Sequence, residues 1–428
     1  MKEKMIEFFH SVTLDKDKCV GCTNCIKRCP TEAIRVRNGK AVIASERCID
    51  CGECIRICPH HAKRAKHDDM SLLKKFKYKI ALPAPSLYGQ INNLDDIDYV
   101  LSGLKELGFD NVFEVSKAAE LVSEATRKMI DDGKLVRPVI SSACPAVVRL
   151  IRVRFPDLCK HVLPLISPME LAAKMAKAEA VKKTGLNWSD IGCIFITPCP
   201  AKVTDITMPI SSDKSAVDGA IAISEIFPVL THKMNDLDKT EPLSSSGIIG
   251  VSWSTSGGES AALLNEKYLA ADGIENIIRV LEEVEDERLA ELDFIELNAC
   301  SGGCVGGVLC VENPYVAKAR IQRLRKYLPV SQNHIDGDVP AIMDWAGSLE
   351  FSNVLTLSSD IRKAMGMMVE IERIACEFPG LDCGACGAPS CRAFAEDVVR
   401  GVSRKSECVF VYRKKMQKVA DTISELEI

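Results

Sequence analysis

Between residue 78 and residue 300 the chain alternates short apolar runs with amphipathic stretches. Runs of this kind, each followed by a loop and a helical pattern, are typical of strands buried in a sheet that helices cover. The predicted strands are residues 79–83, 112–115, 138–142, 191–197 and 294–297. We therefore expect an α/β fold for the central part of the chain.

The two ends of the chain follow different patterns. Residues 60–77 are polar and charged, which predicts a linker or a surface helix behind a small N-terminal domain. Near the C-terminus, apolar residues recur at the a and d spacing of a coiled coil, at Met416, Val419, Ile423 and Leu426. Two possibilities are open for this helix. It packs on its own domain, or it associates with a second copy as a homodimer or with a signalling partner.

These patterns divide the chain into four segments. We expect an α+β domain over residues 1–66, the α/β domain over 78–360, a small helical domain over 361–412 and a terminal helix over 413–428. A length of 428 residues agrees with about three domains.

Charge and hydropathy exclude several classes of partner. With 59 acidic and 55 basic residues the net charge is −4, which argues against nucleic acid or an anionic membrane as a general partner. Short basic runs, such as residues 63–66, are expected to be solvated faces. No apolar stretch reaches the roughly 18 residues of a membrane span, and the N-terminal segment lacks the apolar core of a signal peptide. We therefore expect a cytoplasmic protein.

Twenty cysteines stand out in the composition, and eight of them lie in two copies of one spacing. Residues 19–30 and 48–59 both read CxxCxxCxxxCP, the run of two-cluster ferredoxins. In such runs three close thiolates hold one [4Fe–4S] cluster and the fourth crosses to the other cluster. Structural zinc and disulfides fit this spacing poorly. The predicted ligand sets are Cys19, Cys22, Cys25 and Cys58 for one cluster, and Cys29, Cys48, Cys51 and Cys54 for the other.

Four further cysteines come just after three of the predicted strands. They are Cys144, Cys199, Cys300 and Cys304. Ligand sites in α/β sheets form at the carboxyl ends of strands, so four thiolates in one crevice would make one more cluster site. Glycines around the last two would let the backbone pass close to a bulky cofactor. Three other cysteines are expected to be buried, free core residues: Cys159, Cys193 and Cys310.

The segments around the four cysteines resemble the signature segments of the [FeFe]-hydrogenase large-subunit family, whose patterns are TSCCP, MPCxxK and MACxGGCxxGG. Here they read SSACP at 141–145, TPCPAK at 197–202 and NACSGGCVGG at 298–307. With the ferredoxin repeats ahead of them, the resemblance covers nearly the whole chain. It implies an H-cluster in the α/β domain, which is a [4Fe–4S] cluster joined to a two-iron subcluster with CO, cyanide and a bridging dithiolate.

Position by position, the resemblance implies roles for the residues of this crevice. The four cysteines would hold the [4Fe–4S] part, and Cys304 would also bridge to the two-iron subcluster. Lys202 matches the lysine whose ammonium hydrogen-bonds one cyanide. Pro85 and Ser86 lie in an APS segment similar to the one that contacts the other cyanide, and residues 254–258 resemble the family's TGG segment.

The chain departs from the family pattern where protons would move. Catalytic members carry a proton-transferring cysteine just before the first ligand, and here that residue is Ala143. A methyl group cannot transfer a proton. The residues expected at the family's outer proton path are Thr126, Met129 and Leu163, none of which can relay. Two nearby acids, Glu120 and Glu124, are expected on an exposed helical face, although an alternative route through them stays open.

A second departure concerns the pocket itself. Two methionines that flank the subcluster in the family correspond to Thr197 and Asn298, so we expect a more polar pocket.

The C-terminal cysteines resemble a small CxxCGxPxC…C four-iron cluster domain, which occurs in electron-transfer proteins and in hydrogenases thought to act as sensors. Its ligands would be Cys383, Cys386, Cys391 and Cys408, and Cys376 is left over.

The expected function is slow, reversible H2 oxidation and proton reduction, in a sensory member of the family. One alternative is a conventional metabolic hydrogenase that exchanges electrons with ferredoxin. Another is a non-catalytic relative that works in iron–sulfur assembly and lacks the two-iron subcluster. Expected partners are H2 and protons, a redox partner protein or ferredoxin, and the proteins that mature the H-cluster.

Overall fold

The computed structural model describes residues 8–426. Its strands are β1 (Val12–Leu14), β2 (Ile34–Arg37), β3 (Lys40–Ile43), β4 (Lys63–Ala65), β5 (Tyr78–Pro83), β6 (Asn111–Val112), β7 (Val139–Ile140), β8 (Ile191–Thr197), β9 (Gly219–Ala222), β10 (Tyr268–Asp272) and β11 (Phe294–Asn298). Its α-helices are α1 (Asn24–Lys27), α2 (Glu53–Arg56), α3 (Asp98–Glu106), α4 (Val115–Asp131), α5 (Pro145–Arg154), α6 (Pro168–Thr184), α7 (Pro200–Thr207), α8 (Ile223–Asn235), α9 (Ile248–Ser252), α10 (Gly258–Ala261), α11 (Ile274–Glu285), α12 (Pro314–Leu324), α13 (Ile361–Ala375), α14 (Cys391–Val399) and α15 (Val409–Leu426).

The N-terminal α+β domain is built from two small antiparallel pairs. Strand β1 pairs with β4, and β2 pairs with β3. The expectation of a linker or surface helix over 60–77 is wrong for residues 63–65, which form β4. Residues 70–75 do form a short 3-10 helix at the surface, in which Leu72 and Leu73 are buried. A charged segment can still form an edge strand, since main-chain hydrogen bonds do not depend on side-chain polarity.

The central domain contains two parallel sheets, which confirms the α/β expectation for this region. One has the strand order β6-β5-β8-β9 and the other β10-β11-β7. Strand β8 is buried along all seven residues, as its continuous apolar run predicts. The run at 112–115 is mostly not a strand, because α4 already begins at Val115. Strands β9 and β10 were not predicted from the sequence. Their alanine-rich sequences, GAIA and YLAAD, carry little β signal.

Three helices, α13, α14 and α15, follow the central domain. Asp360 and Ser390 cap α13 and α14, respectively, through side-chain oxygens that accept backbone N–H groups. Phe378 and Phe394 pack between them with ring centroids 5.1 Å apart. The last helix begins directly after Cys408, and residues 427–428 of the predicted terminal helix lie outside the described residues.

This helical part docks on the N-terminal domain. Asp397, at the end of α14, accepts hydrogen bonds from Arg35 at 2.8 Å and Arg37 at 2.5 Å, both in strand β2. Arg47 reaches Glu396 at 3.1 Å. These charged groups are largely buried, so their hydrogen bonds are stronger than those of exposed ion pairs. The contact brings the first and last cysteine blocks of the chain together.

Candidate metal centres and catalytic cavity

The N-terminal cysteines enclose two voids of nearly equal size. One is lined by four of the eight cysteines and the other by the remaining four, and each has a volume of about 20 Å³. Each void is lined by the four cysteines that the sequence predicts for it. Cys29 and Cys58 each line the void of the other repeat, as predicted. Their role as cluster ligands stays a prediction.

The two repeats place their cysteines with the same local geometry. Cys25 and Cys54 lie on the short helices α1 and α2, whose N-caps, Thr23 and Gly52, have a left-handed backbone. Sulfur atoms accept backbone N–H groups at matching positions, from Ala33 to Cys29 at 3.2 Å and from Ala62 to Cys58 at 3.3 Å. Such donors stabilise an anionic sulfur, as a metal ligand requires.

Burial opposes ionisation of these thiols. It raises the pKa of Cys54 to about 12, although the Lys63 charge opposes that effect. The pKa values of Cys48 and Cys51 also rise well above the usual range because of burial. Thiolates buried in this way need metal to compensate their charge, so cluster binding must release protons.

The central cavity lies between the carboxyl ends of the two parallel sheets. Cys199 follows β8 of the first sheet, while Cys144 follows β7 and Cys300 and Cys304 follow β11 of the second. Cys144 and Cys199 are the N-cap residues of α5 and α7. Two sheets therefore deliver one set of four cysteines, and helix N-termini favour a negative charge there.

The cavity has a volume of about 90 Å³, against about 20 Å³ for each N-terminal void. Its walls are mainly apolar, and its lining includes Pro85, Ser86, Ala143, Cys144, Met169, Phe195, Cys199, Lys202, Trp253, Glu259, Glu296, Asn298 and Cys304. The thiol of Cys304 is accessible only because it faces this enclosed space, and desolvation by the walls raises its pKa. Burial likewise raises the pKa of Cys199 to about 12.

The glycines beside Cys304 also lie against protein backbone, while their expected closeness to a cofactor stays a prediction. A Cβ at Gly303, whose φ is +92°, would collide with the backbone of Thr255 and Ser256, and a Cβ at Gly307 would collide with the carbonyl of Pro198. At these positions glycine lets protein backbone segments approach closely. These glycines hold the Cys300–Cys304 loop against the two segments that complete the cavity.

Two polar groups in the cavity lack protein partners among the described residues. The Ser86 hydroxyl is fully buried and makes no hydrogen bond. Lys202 lines the cavity, and its ammonium forms no hydrogen bond or ion pair with residues 8–426. An unsatisfied group is costly when it is fully buried, as the Ser86 hydroxyl is, which fits a bound ligand that accepts hydrogen bonds. The Lys202 side chain is half-buried and lines the same space.

The remaining predicted pocket residues are arranged differently from expectation. Asn298 lines the cavity and donates to Glu296 at 2.7 Å. Thr197 is fully buried but does not belong to the described lining, because its hydroxyl turns toward the Cys199 backbone. Met169, which the sequence did not point to, supplies a thioether to the wall. The pocket is thus less polar on the Thr197 side than predicted.

A pair of buried carboxyl groups, Glu259 and Glu296, also lines the cavity. Glu296 accepts backbone N–H groups from Gly257 at 3.0 Å and Ser260 at 2.8 Å, in addition to the Asn298 amide. Among the described residues, Glu259 accepts a hydrogen bond only from the Ser141 hydroxyl. Burial and the neighbouring Glu296 carboxylate hold the pKa of Glu259 well above its usual range. Burial also raises the pKa of Glu296, but the hydrogen bonds from Ser260, Gly257 and Asn298 oppose that rise. Of the two carboxyl groups, Glu259 is therefore the one that holds a proton more readily.

Sequence reasoning missed this pair, although one signal was present. Glu296 lies within the buried strand β11, where a carboxylate is rare. Glu259 follows the TGG-like segment, and only the fold shows that it faces the same cavity.

The expectation that Glu120 and Glu124 lie on an exposed helical face is wrong. Glu120 is buried and accepts from the backbones of Gly247, Gln332 and Asn333 at 2.5–3.0 Å. Glu124 accepts from the backbone of Ile335 at 3.1 Å. Both carboxylates are committed to tying loops onto α4, so neither has the free geometry of a proton relay.

The C-terminal cysteines line a fourth void, of about 10 Å³. It is lined by all four predicted members of the set, Cys383, Cys386, Cys391 and Cys408.

The four voids adjoin one another in the fold. Gly387 accepts from the backbone of Val36, which lines the first N-terminal void, at 2.8 Å, and Cys51 of the second packs in the same apolar cluster as Cys144 and Cys199.

The unassigned cysteines differ in their surroundings. Cys193 is buried in the core and Cys159 is half-buried. The Cys310 sulfur lies 3.7 Å from the Cys304 carbonyl oxygen, and burial raises its pKa to about 12. Cys376 is exposed on the helical part.

Fold and site together define an iron–sulfur protein with a hydrogenase-type cavity. Three families match: "4Fe-4S dicluster domain" at residues 11–59, "Iron only hydrogenase large subunit, C-terminal domain" at 77–308 and "Putative Fe-S cluster" at 378–410. The second match covers more than half of the chain. The protein therefore belongs to the iron-only, or [FeFe], hydrogenase large-subunit family, as the resemblance predicted.

Its relatives are distant. The chain is 23% identical to iron hydrogenase 1 of Clostridium pasteurianum, over 69% of this chain and 64% of that protein. It is 25% identical to the periplasmic [Fe] hydrogenase large subunit of Nitratidesulfovibrio vulgaris, over 70% of this chain and 86% of that one. A variant of the [FeFe]-hydrogenase HydA1 from Chlamydomonas reinhardtii aligns with a TM-score of 0.48 and 17% identity, over 61% of this chain and 90% of that structure. No helix among residues 8–426 combines the length and apolar character needed to cross a membrane.

Proposed function

We propose that this protein carries out slow, reversible hydrogen chemistry, H2 ⇌ 2H+ + 2e−, in hydrogen or redox sensing. The observation that supports this most directly is the composition of the central cavity. Three cysteines, Cys144, Cys199 and Cys304, line one largely apolar space together with the Lys202 ammonium and the unpaired Ser86 hydroxyl. Cys300 is not part of this lining, but it lies close enough to the three that burial, together with their charges, raises the pKa of its thiol. At the same time position 143, where the family's catalytic members hold a thiol, presents only a methyl group.

The residues present fit the H-cluster that the family implies. Cys144, Cys199, Cys300 and Cys304 would hold its [4Fe–4S] part, with Cys304 shared with the two-iron subcluster. Lys202 and Ser86 would donate to its cyanides, which accounts for both unpaired polar groups. When bound, this group would supply the metal site at which H2 is split or formed, and the other three cubanes would supply one-electron carriers.

In the absence of a thiol at position 143, Glu259 is the proposed proton acceptor of the cavity. Glu259 lines the cavity, and burial together with the Glu296 carboxylate raises its pKa well above the usual range, so that it can hold a proton. Glu296 holds the negative charge that keeps the proton on Glu259. Beyond the pair, Gly257 and Gly258 line an open surface cleft, which offers protons a way to solvent.

Two alternatives differ in their demands on this cavity. A conventional metabolic hydrogenase needs fast proton delivery, which a single carboxyl pair without further relays supports poorly. An iron–sulfur assembly protein without the two-iron subcluster needs no ligand for Lys202 or Ser86. The unsatisfied Ser86 hydroxyl is the specific observation that disfavours this second alternative.

The proposed partners are maturation proteins for the two-iron subcluster, a redox protein such as ferredoxin, and a second copy of this chain or a signalling protein at α15. Along α15, Val409, Tyr412, Met416, Val419 and Ile423 recur in heptad spacing and each is about half exposed. Sedimentation of the full chain before and after Val419→Lys tests self-association. An unchanged monomer in both would rule out the homodimer.

Infrared spectroscopy of the matured protein, combined with H2 turnover, tests the proposed function. Bands of bound CO and cyanide with low turnover are expected. Absence of these bands after maturation, while iron analysis shows loaded cubanes, would favour the assembly alternative. Bands with high turnover would favour the metabolic hydrogenase.

A further inference from the structure

Lys63 is a buried lysine without a partner. Its residue is only 3% exposed, and its ammonium makes no hydrogen bond or ion pair with any described residue. Lysine is almost never buried in this way unless an opposite charge lies nearby, because desolvation of an unpaired ammonium is strongly unfavourable. The sequence expectation that residues 63–66 form a solvated basic face is therefore wrong for Lys63.

Strand geometry explains why this lysine points inward. Lys63 pairs with Leu14 across the β1–β4 ladder, and successive side chains of a strand alternate between its two faces. Arg64 accordingly points outward, where it lies 3.6 Å from Asp15. Lys66, the next lysine along the chain, is exposed.

The surroundings of Lys63 are the two N-terminal cysteine sets. The residue lines the void enclosed by Cys19, Cys22, Cys25 and Cys58. Its charge acts on both sets, because it opposes the rise that burial causes in the pKa of Cys25 and of Cys54. No carboxylate among the described residues lies within ion-pair distance of the ammonium.

We propose that the Lys63 ammonium is the built-in counter-charge of the N-terminal iron–sulfur sites and raises the reduction potential of the cluster held by Cys19, Cys22, Cys25 and Cys58. A four-thiolate cubane is an anion, and it gains one more negative charge when it takes up an electron. A fixed cation in a poorly solvated site stabilises the reduced form more than the oxidised form. Lys63 is thus a tuning residue that acts on the cluster without ligating it.

This inference rests on the proposed cluster ligation but not on hydrogen chemistry, so it is tested in the full chain without the two-iron subcluster. EPR-monitored redox titrations of wild type, Lys63→Met and Lys66→Met would be compared. Lys66→Met removes the same charge from an exposed position. We expect a shift to more negative midpoint potential in Lys63→Met, with Lys66→Met and the C-terminal cluster unchanged. Superimposable titrations, or a positive shift, would overturn the role of Lys63.

Iron and sulfide analysis keeps the outcomes separate. Wild-type protein that lacks N-terminal cluster signals would disprove the ligand sets, whatever the variants do. If the Lys63→Met protein cannot hold the N-terminal clusters, Lys63→Arg tests whether a cation is what the site needs. An Arg variant that retains the clusters, with a midpoint potential near that of wild type, supports this need. Loss in Lys63→Arg as well would show that the site demands the lysine shape, which contradicts a counter-charge role.

Discussion

The Ser141 hydroxyl lies 2.8 Å and 2.7 Å from the two carboxylate oxygens of Glu259. One hydroxyl hydrogen can serve only one of them, so a charged Glu259 would keep an unsatisfied oxygen in a buried site. A protonated Glu259 removes that deficit. The same Ser141 oxygen accepts the Ala143 N–H at 3.1 Å, which links the carboxyl to the position of the missing thiol.

Glu259→Gln should therefore lower H2 turnover in the matured protein. The amide fills the same space but cannot take up and release a proton, and loss of a positioned acid or base typically costs on the order of 100-fold in rate. Turnover is measured alongside infrared spectra that show an intact H-cluster. The matched control is Glu266→Gln, which removes an exposed carboxylate. Equal turnover in both variants would exclude Glu259 from the proton path.

The same substitution should stabilise the protein at neutral pH. A carboxyl whose folded pKa is raised contributes most to stability below its unfolded pKa, and that contribution is lost as the pH rises through the folded pKa. Burial and Glu296 raise the pKa of Glu259, so at neutral pH wild type carries a cost that Gln avoids. Thermal unfolding of both proteins at several pH values measures this. The advantage of Gln should shrink as the pH falls, and an advantage that grows would contradict the protonation assignment.

Ala143→Cys should raise turnover, because it places a thiol beside the Ser141–Glu259 pair. The gain is expected to be modest, since buried Thr126 and Leu163 leave the outer part of the family's path without relays. Ala143→Ser is the control for a small polar side chain of lower acidity. Unchanged turnover in both would place the bottleneck outside this position.

Cys304→Ala should abolish the CO and cyanide bands after maturation and leave the N-terminal and C-terminal clusters in place. Cys304 faces the central cavity, while the other cysteine sets line separate voids. Cys310→Ala is the matched control, because its sulfur lies next to the Cys304 backbone but has no assigned role. Normal bands in Cys304→Ala would show that the assignment of this residue is wrong.

Asp397→Asn should loosen the helical part from the N-terminal domain. The change leaves Arg35 and Arg37 without their shared carboxylate in a largely buried contact, and hydrogen bonds to charged groups contribute about 1.5–3 kcal/mol each. Hydrogen exchange should rise in residues 34–37 and 384–387, on both sides of the contact. Glu407→Gln changes an acid outside this contact and serves as the control. Equal exchange in both variants would contradict the docking seen here.

Much of this protein could be predicted from sequence because its chemistry is encoded locally. The spacing within residues 19–58 and 383–408 specifies cysteine sets by short-range geometry, and the structure brings the members of each set together. The buried apolar runs at 79–83, 191–197 and 294–297 likewise predicted the central strands, since burial on both faces of a parallel sheet leaves a continuous apolar signal. The family followed from these local patterns.

Only the tertiary structure decided what surrounds the cysteines. Strand β10 and helix α11 separate Glu259 from Glu296 along the chain, and neither spacing nor composition shows that the two carboxyl groups meet in one cavity. Lys63 and Glu120 have the sequence character of surface residues, yet the fold buries both. A side chain's environment depends on contacts between distant segments, whereas spacing reports only on its neighbours along the chain. The Glu259–Glu296 pair and the burial of Lys63 therefore became visible only once the chain was folded.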